Sequence, residues 1–432
     1  MKIVSKYVIY GWLIAISMLI GACVPPKANV SIDKTATYKY NFSSIYNPVE
    51  TYLHPTVKTY CDSDTSAIVF FRLNVDELRL NNKNKTDTIS EVIVKYALRN
   101  VENFEIVDSG VIVYNLKIKS DNPYSESYFR INLKPNSENK LILGFILANR
   151  KGGSRIIVDI DNVGSNLANK FLLEELDSVS KIKYKHFVNK HNTYRISSHL
   201  WNNNTATLEF FNYTEDIVIP PYFTLKNSDD IIVPDSVFTY RVGDTITFAQ
   251  NGFYVFKTSS QDPGFMCFIN PRDNYPNINI LSDMLEPLNL FATNKDIKQI
   301  KNAENLKIAI DNYWLGLSKN QKFAKEQIRV FYNRVSLANN FFSDYREGWK
   351  TDRGLLYIIL GPPTIVNISA NGEEWFYGEN PDVAGVLFQF DVVNSLYSGK
   401  KTLLRRDERY QAVWAQAVNT WRNGRIFTIT KN

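Results

Sequence analysis

Short hydrophobic runs alternate with polar turn residues over the first two thirds of the chain. The first group of runs lies between residues 67 and 160, and asparagine, lysine, aspartate, glycine and proline fill the gaps. Several short strands at this spacing are typical of an antiparallel sandwich. We therefore predict a β-sandwich domain over residues 51–162, with strands at 67–73, 91–98, 110–119, 128–133, 141–148 and 156–160.

A second group of β-rich runs follows, with proline, asparagine and glycine between them. This pattern predicts a second antiparallel sandwich over residues 163–280. Its predicted strands are 193–198, 207–213, 222–225, 237–242, 245–249, 253–258 and 265–269.

The hydrophobic period then changes from that of a strand to that of a helix. Helices are predicted at 281–290, 294–301, 304–317 and 321–345, and in the last of these apolar residues recur at steps of three and four. Strands at 355–360, 374–377 and 386–393 follow, and a helix at 408–422 is capped by Asn423-Gly424. The fold class is thus two tandem antiparallel β-sandwiches and an α+β carboxy-terminal module, residues 281–432.

The amino terminus has the order of a secretory signal. Lys2 and Lys6 precede an apolar run over residues 7–20, which is too short to span a bilayer comfortably. The run ends in Ile20-Gly21-Ala22-Cys23, which resembles a lipobox, so residues 1–22 are the predicted signal peptide and Cys23 the lipidation site. The alternative is an ordinary secretory signal with a chance cysteine at its end.

Lipidation would place the protein at a membrane. Acyl chains anchor through buried methylene groups, roughly 0.8 kcal/mol each. Residues 24–29 contain no acidic cluster, which favours the periplasmic face of the outer membrane over the cell surface. The polar segment 23–50 is the predicted flexible tether to the first sandwich.

The charge balance and the cysteine content bear on two further questions, a nucleic-acid partner and a disulfide bond. Without residues 1–22 the chain has 48 basic and 44 acidic residues, a mild bias spread along the sequence, so we expect no nucleic-acid partner. The other two cysteines, Cys61 and Cys267, lie in different predicted domains. We favour two buried free thiols over a disulfide, which an oxidising envelope would also permit.

The strongest motif is Gly348-Trp349-Lys350-Thr351-Asp352. Arg353-Gly354, Gly361-Pro362-Pro363 and Glu374-Trp375-Phe376-Tyr377 follow it. The motif resembles the signature of the bacterial GWxTD-domain family, and separated blocks match in order over residues 306–427. The blocks include Asp311-Asn312-Tyr313-Trp314, Tyr332-Asn333-Arg334-Val335, Ala338-Asn339 and Trp421-Arg422. The resemblance identifies the module better than its function, because the family is recognised mostly without an assigned activity.

The signature residues suit a tight turn between the long helix and a following strand. We expect Gly348 to allow the chain to leave the helix, Trp349 to fill the seam between helix and sheet, and Thr351 and Asp352 to bind backbone amides. Arg353 is predicted to pair with Asp352 or Asp344. The functional alternative is that Asp352, Arg353, Glu374 and Tyr377 converge at one end of the sheet and bind a ligand or partner.

Motifs for common enzyme chemistry are absent from the sequence. It has no Gly-x-Ser-x-Gly elbow, no Walker-type phosphate loop and no dinucleotide-binding Gly-x-Gly-x-x-Gly after a strand. The four histidines, His54, His186, His191 and His199, lie outside the signature module and lack metal-ligand spacing. Glu373 and Glu374 are adjacent in a predicted strand, so they point to opposite faces. We expect no cofactor and no metal.

These observations favour a non-enzymatic binding or scaffold subunit. The hypothesis is an envelope lipoprotein of an outer-membrane assembly for secretion or outer-membrane biogenesis, held by Cys23 and bound to an envelope protein partner. The alternative is a hydrolase or carbohydrate-binding protein that uses Asp352, Glu374 and Tyr377 as working polar groups.

Overall fold

The structure, a computed structural model, describes twelve segments of the chain. They are residues 40–81, 88–119, 122–163, 168–176, 180–201, 204–213, 218–223, 232–258, 265–318, 320–369, 371–380 and 384–428. The predicted signal peptide, Cys23 and residues 23–39 of the predicted tether lie outside the described residues. No helix in the described segments is long and apolar enough to cross a membrane.

Two antiparallel sheets form the first sandwich, as predicted. One sheet has the order β1-β2-β5 and the other β4-β3-β6-β7, and their facing side chains share one core. Burial alternates along β2 with the period of two that a half-buried strand requires. The strands are β1 Thr56–Cys61, β2 Ser66–Asn74, β3 Ile89–Asn100, β4 Ile106–Lys117, β5 Tyr124–Asn132, β6 Glu138–Leu147 and β7 Ser154–Asp161, with helix α1 Val75–Asn81 after β2.

The second sandwich has two four-stranded sheets around an aromatic core. Their strand orders are β13-β10-β8-β9 and β12-β11-β14-β15. The predicted strand at 222–225 is wrong in its described part: Tyr222 and Phe223 lie in a turn, where the Phe223 N–H donates to Pro220 O. The strands are β8 Leu172–Leu176, β9 Ser180–Ile182, β10 Thr193–Ser197, β11 Thr205–Phe211, β12 Ser236–Arg241, β13 Thr245–Thr247, β14 Gly252–Thr258 and β15 Phe265–Asn270.

Helices pack on an antiparallel meander, β16-β17-β18-β19, in the carboxy-terminal module. The helices are α2 Leu281–Leu285, α3 Asn294–Lys301, α4 Leu306–Ser318, α5 Gln321–Phe342, α6 Asp352–Leu360 and α7 Gln411–Arg422. The strands are β16 Ile365–Ile368, β17 Gly372–Asn380, β18 Ala384–Ser395 and β19 Gly399–Leu404. Gly424 has a φ of 72°, which fits the predicted helix end at Asn423-Gly424.

The predicted strand at 355–360 is wrong, because these residues belong to α6. The Thr351 side chain caps this helix by accepting a hydrogen bond from the Gly354 N–H at 3.1 Å. All six residues of Leu355–Leu360 are buried, so the run shows no amphipathic period. A short helix that is apolar all round cannot be distinguished from a buried strand by its pattern.

Residues 40–50 belong to the folded unit. Ser43–Ile45 form a 3₁₀ turn, and the side chains of Phe42 and Tyr46 are buried in the core of the carboxy-terminal module. Aromatic side chains of this size stabilise a fold strongly when buried. The tether predicted for residues 23–50 therefore does not extend over residues 40–50.

Candidate functional site

The signature forms a compact turn between α5 and α6. Gly348–Lys350 make one 3₁₀ turn, and the side chain of Trp349 is buried while its backbone N–H donates to Asn339 Oδ1 at 3.1 Å. The Thr351 hydroxyl donates to Gly348 O at 2.7 Å. The predicted roles of Trp349 and Thr351 as framework residues agree with these contacts.

Both glycines of the turn allow close backbone approach. A Cβ on Gly348 would lie 2.1 Å from Ala338 O, and a Cβ on Gly354 would lie 1.9 Å from Gly348 O. These distances are far below a van der Waals contact, so no other residue fits without a backbone shift. The turn thus requires glycine for packing, and this holds α5, the 3₁₀ turn and α6 together.

Asp352 connects α6 to β19 and to the second sandwich. One carboxylate oxygen binds the Arg406 guanidinium, and the other accepts the Leu404 N–H at 2.9 Å. Arg406 also donates to the carbonyl oxygens of Ile219 and Pro220, at 3.1 and 2.7 Å. The ion pair is largely buried, with 10% and 12% of the two side chains exposed.

Arg353 pairs with Glu373 of β17, so the predicted pairing with Asp352 or Asp344 is wrong. The Arg353–Glu373 distance is 2.7 Å, while Asp344 binds Arg346 at 2.8 Å. Glu373 also accepts hydrogen bonds from Trp375 Nε1 at 2.9 Å and from the Tyr46 hydroxyl at 3.1 Å. Burial, together with the Glu373 charge, raises the pKa of Tyr46.

Glu374 and Tyr377 have separate partners. Glu374 accepts a hydrogen bond from Gln389 Nε2 at 2.9 Å, across the β17–β18 pair. Tyr377 is buried and donates to Gly361 O at 2.9 Å, and burial raises its pKa well above the usual value. Asp352, Arg353, Glu374 and Tyr377 are therefore each bound to a different group, and the contacts do not bring them onto a shared ligand position.

A second polar cluster, which the sequence did not predict, adjoins the signature turn at Gly348. Arg272 pairs with Glu347 and lies 3.2 Å from Asp283. The Tyr275 hydroxyl accepts the Gly348 N–H at 3.2 Å and shares a hydrogen bond with Ser343. Arg272 and Glu347 are 75 residues apart, so no local sequence pattern could have indicated the pair.

The described residues contain no group of three or more histidine, cysteine or acidic side chains that could hold a metal ion. Cys61 and Cys267 are free thiols, as favoured from the sequence, but only Cys61 is fully buried and Cys267 is half-buried. Burial, followed by the charge of Asp344, raises the pKa of Cys267 well above its ordinary value. A thiol in this environment is a packing group, because the reactive thiolate is disfavoured.

Comparison with known proteins agrees with the family resemblance that the signature indicated. The family model of the GWxTD domain matches residues 252–423, a range that begins at β14 of the second sandwich. No curated protein matches the chain. Among solved structures, the crystal structure of red sea bream transglutaminase aligns over 52% of this chain and 32% of that chain, at 10% identity and a TM-score of 0.19.

The aligned part is about a third of the transglutaminase chain, and its TM-score is too low to indicate a shared fold. The family match, in contrast, covers the signature turn, the helices and the sheet described above. On this evidence the chain carries a GWxTD domain over residues 252–423.

Proposed function

We propose that this protein is a lipid-anchored, non-enzymatic binding or scaffold subunit of an outer-membrane assembly, such as one for secretion or outer-membrane biogenesis. One observation carries the proposal: the polar residues of the signature join separate parts of the chain. Asp352 reaches the second sandwich through Arg406, and Arg353 reaches the amino-terminal segment through Glu373.

The first sandwich is also held to the module. Lys400, at the start of β19, pairs with Glu138 at 2.8 Å and with Asp161 at 3.6 Å. These contacts support a framework in which the module sets the relative position of both sandwiches. A scaffold subunit needs such a fixed geometry, because its binding surfaces must reach their partners together.

The alternative is a hydrolase or a carbohydrate-binding protein. It would require Asp352, Glu374 and Tyr377 to face one ligand, but their side chains are bound to Arg406, Gln389 and Gly361 respectively. A candidate nucleophile or acid must also be within reach of a second working group. The contacts therefore favour the scaffold over the alternative.

In-cell crosslinking tests the proposed partner. The tagged chain would be crosslinked in intact envelopes, extracted in mild detergent, and its partners identified by mass spectrometry. We expect a stoichiometric outer-membrane protein, crosslinked reproducibly to one domain. Recovery of the chain as a free monomer under the same conditions would contradict the scaffold proposal.

A substitution at Cys23 tests the proposed lipid anchor. Replacing Cys23 with alanine removes the acceptor thiol, and we expect the variant to move from the membrane pellet to the soluble envelope fraction, because the acyl chains supply the attachment. Fractionation followed by immunoblotting measures this. Cys61→Ala and Cys267→Ala are matched controls that should stay in the pellet, and a Cys23→Ala variant that also stays there would contradict lipid anchoring.

A further inference from the structure

A short amino-terminal segment completes the core of the GWxTD domain. We call residues 41–46 the strap. The strap lies outside the family match at 252–423, yet its Phe42 and Tyr46 side chains are only 0% and 6% exposed and pack in the core of the module. The domain that the family match covers therefore has a groove that a separate segment fills.

The strap binds the free edge of the module's sheet. Strand β16 is at one end of the order β16-β17-β18-β19. The Phe42 N–H donates to Val366 O at 2.9 Å, and the Val366 N–H donates to Asn41 Oδ1 at 3.0 Å. The Asn41 side-chain amide also donates to Thr364 O at 3.1 Å. One backbone hydrogen bond and the Asn41 side chain thus hold the strap to this edge, and exposed sheet edges are common sites of peptide binding.

Tyr46 supplies a second anchor at the other end of the strap. Its ring packs against Phe342 and Trp375, with centroid distances of 5.0 and 5.1 Å. The Tyr46 hydroxyl donates to Glu373, and the Tyr46 carbonyl accepts the Tyr357 hydroxyl at 2.8 Å. The ring, the hydroxyl and the backbone carbonyl of Tyr46 are thus each in contact with a residue of the module.

Arg353 holds the acceptor for Tyr46 in place. It binds one oxygen of Glu373 at 2.7 Å, while Trp375 Nε1 binds the other at 2.9 Å. Arg353 follows the signature directly, so the signature turn and the strap meet at this carboxylate. The first sandwich contacts the residue just before the strap, where Arg155 lies over the Tyr40 ring at 4.3 Å.

We propose that the groove between β16 and Glu373 is a peptide-binding site, which residues 41–46 occupy in cis. Its ligand is a peptide with asparagine, phenylalanine and, four residues after the phenylalanine, tyrosine, folded into the 3₁₀ turn that Ser43–Ile45 form here. Asn41 and Phe42 bind the sheet edge, and Glu373, oriented by Arg353, recognises the tyrosine hydroxyl. This assigns a recognition role to the residue after the signature, and it does not depend on the lipid anchor or on the proposed scaffold function.

Cutting the chain beside the strap tests this inference. Val49 is 91% exposed, so a specific protease site can be inserted between Val49 and Glu50 in the chain without residues 1–22. The folded protein is cut, and a fluorescent synthetic peptide of residues 40–48 is added. We expect the cut fragment to stay bound through gel filtration and to be displaced by excess peptide, which then binds saturably at one site.

Two results would overturn the inference. The fragment could leave with no change in melting temperature and no peptide binding, which would mean that the groove is not a site. Alternatively, the body could unfold on release and fail to recover with peptide, which would make the strap a permanent piece of the core. The uncut chain with the insertion must melt like the chain without it.

A second variant covers the case in which the insertion disturbs folding. In an uninterrupted chain with Phe42→Ala and Tyr46→Ala, the groove is left without its own anchors, so the peptide should bind this variant and not the wild-type chain. A peptide with Tyr46→Phe loses a hydrogen bond to a charged group and should bind about tenfold more weakly. Equal binding of both peptides, or no binding to a folded double variant, would contradict recognition by Glu373.

Discussion

Gly354→Ala should destabilise the GWxTD domain by about 3 kcal/mol, the largest effect that we expect from a single methyl group here. The added Cβ would lie 1.9 Å from Gly348 O, and only a backbone shift in the signature turn can relieve that overlap. Urea unfolding followed by tryptophan fluorescence measures the change in stability. Five of the seven tryptophans lie between residues 314 and 421, so the signal reports chiefly on this domain.

Gly316→Ala is the matched control for this substitution. Gly316 is also helical, in α4, but a Cβ there would meet no atom within 4 Å. Alanine is a better helix former than glycine, so we expect Gly316→Ala to stabilise the domain by about 0.5–1 kcal/mol. Shifts of the same sign and size for the two variants would contradict the close packing of the signature turn.

Asp352→Asn should also destabilise the protein, by about 3 kcal/mol. The substitution keeps the shape of the side chain but leaves the buried Arg406 guanidinium without its counter-charge, which is a costly change in a protein interior. The exposed pair of Asp391 and Arg405 offers a control, because 40% and 59% of these side chains are exposed. Asp391→Asn should change stability by less than about 1 kcal/mol.

The same two variants also distinguish a framework from a binding site. If Asp352 acts through the fold, Asp352→Asn should lower the unfolding midpoint and the yield of the crosslinked partner together. A variant that loses the partner at an unchanged midpoint would assign Asp352 to a contact surface. Equal unfolding midpoints for Asp352→Asn and Asp391→Asn would refute the stabilising role of the buried pair.

The sequence predicted the sandwiches and the long helix because their patterns are regular. Burial alternates along strands such as β2, and α5 buries a stripe at steps of three and four. Helix α6 was missed for the opposite reason, since Leu355–Leu360 are buried on every side and carry no period. Local pattern indicates which face of an element is buried, and it fails where no face is exposed.

The contacts of the signature could not be predicted from local sequence. Arg353 is 20 residues from Glu373, and Asp352 is 54 residues from Arg406. Asp344 and Asp352 are nearer to Arg353 in the sequence and were therefore its predicted partners. The β16–β19 sheet, however, brings Glu373 into contact with Arg353 in space. The strap was missed because a polar stretch with isolated aromatic residues resembles a linker. Phe42 and Tyr46 are buried only by residues that lie far away in the sequence, so no local pattern marks them as core residues.

The strap also joins positions that are very far apart in the chain. The Tyr46 hydroxyl and Glu373 are separated by 327 residues, and a loop of that length carries an entropic cost of closure. A chain that emerges amino terminus first presents Tyr46 long before Glu373 has been synthesised. This aromatic segment therefore has no groove to bind until the last strands have formed, and we expect its docking to be a late step of folding.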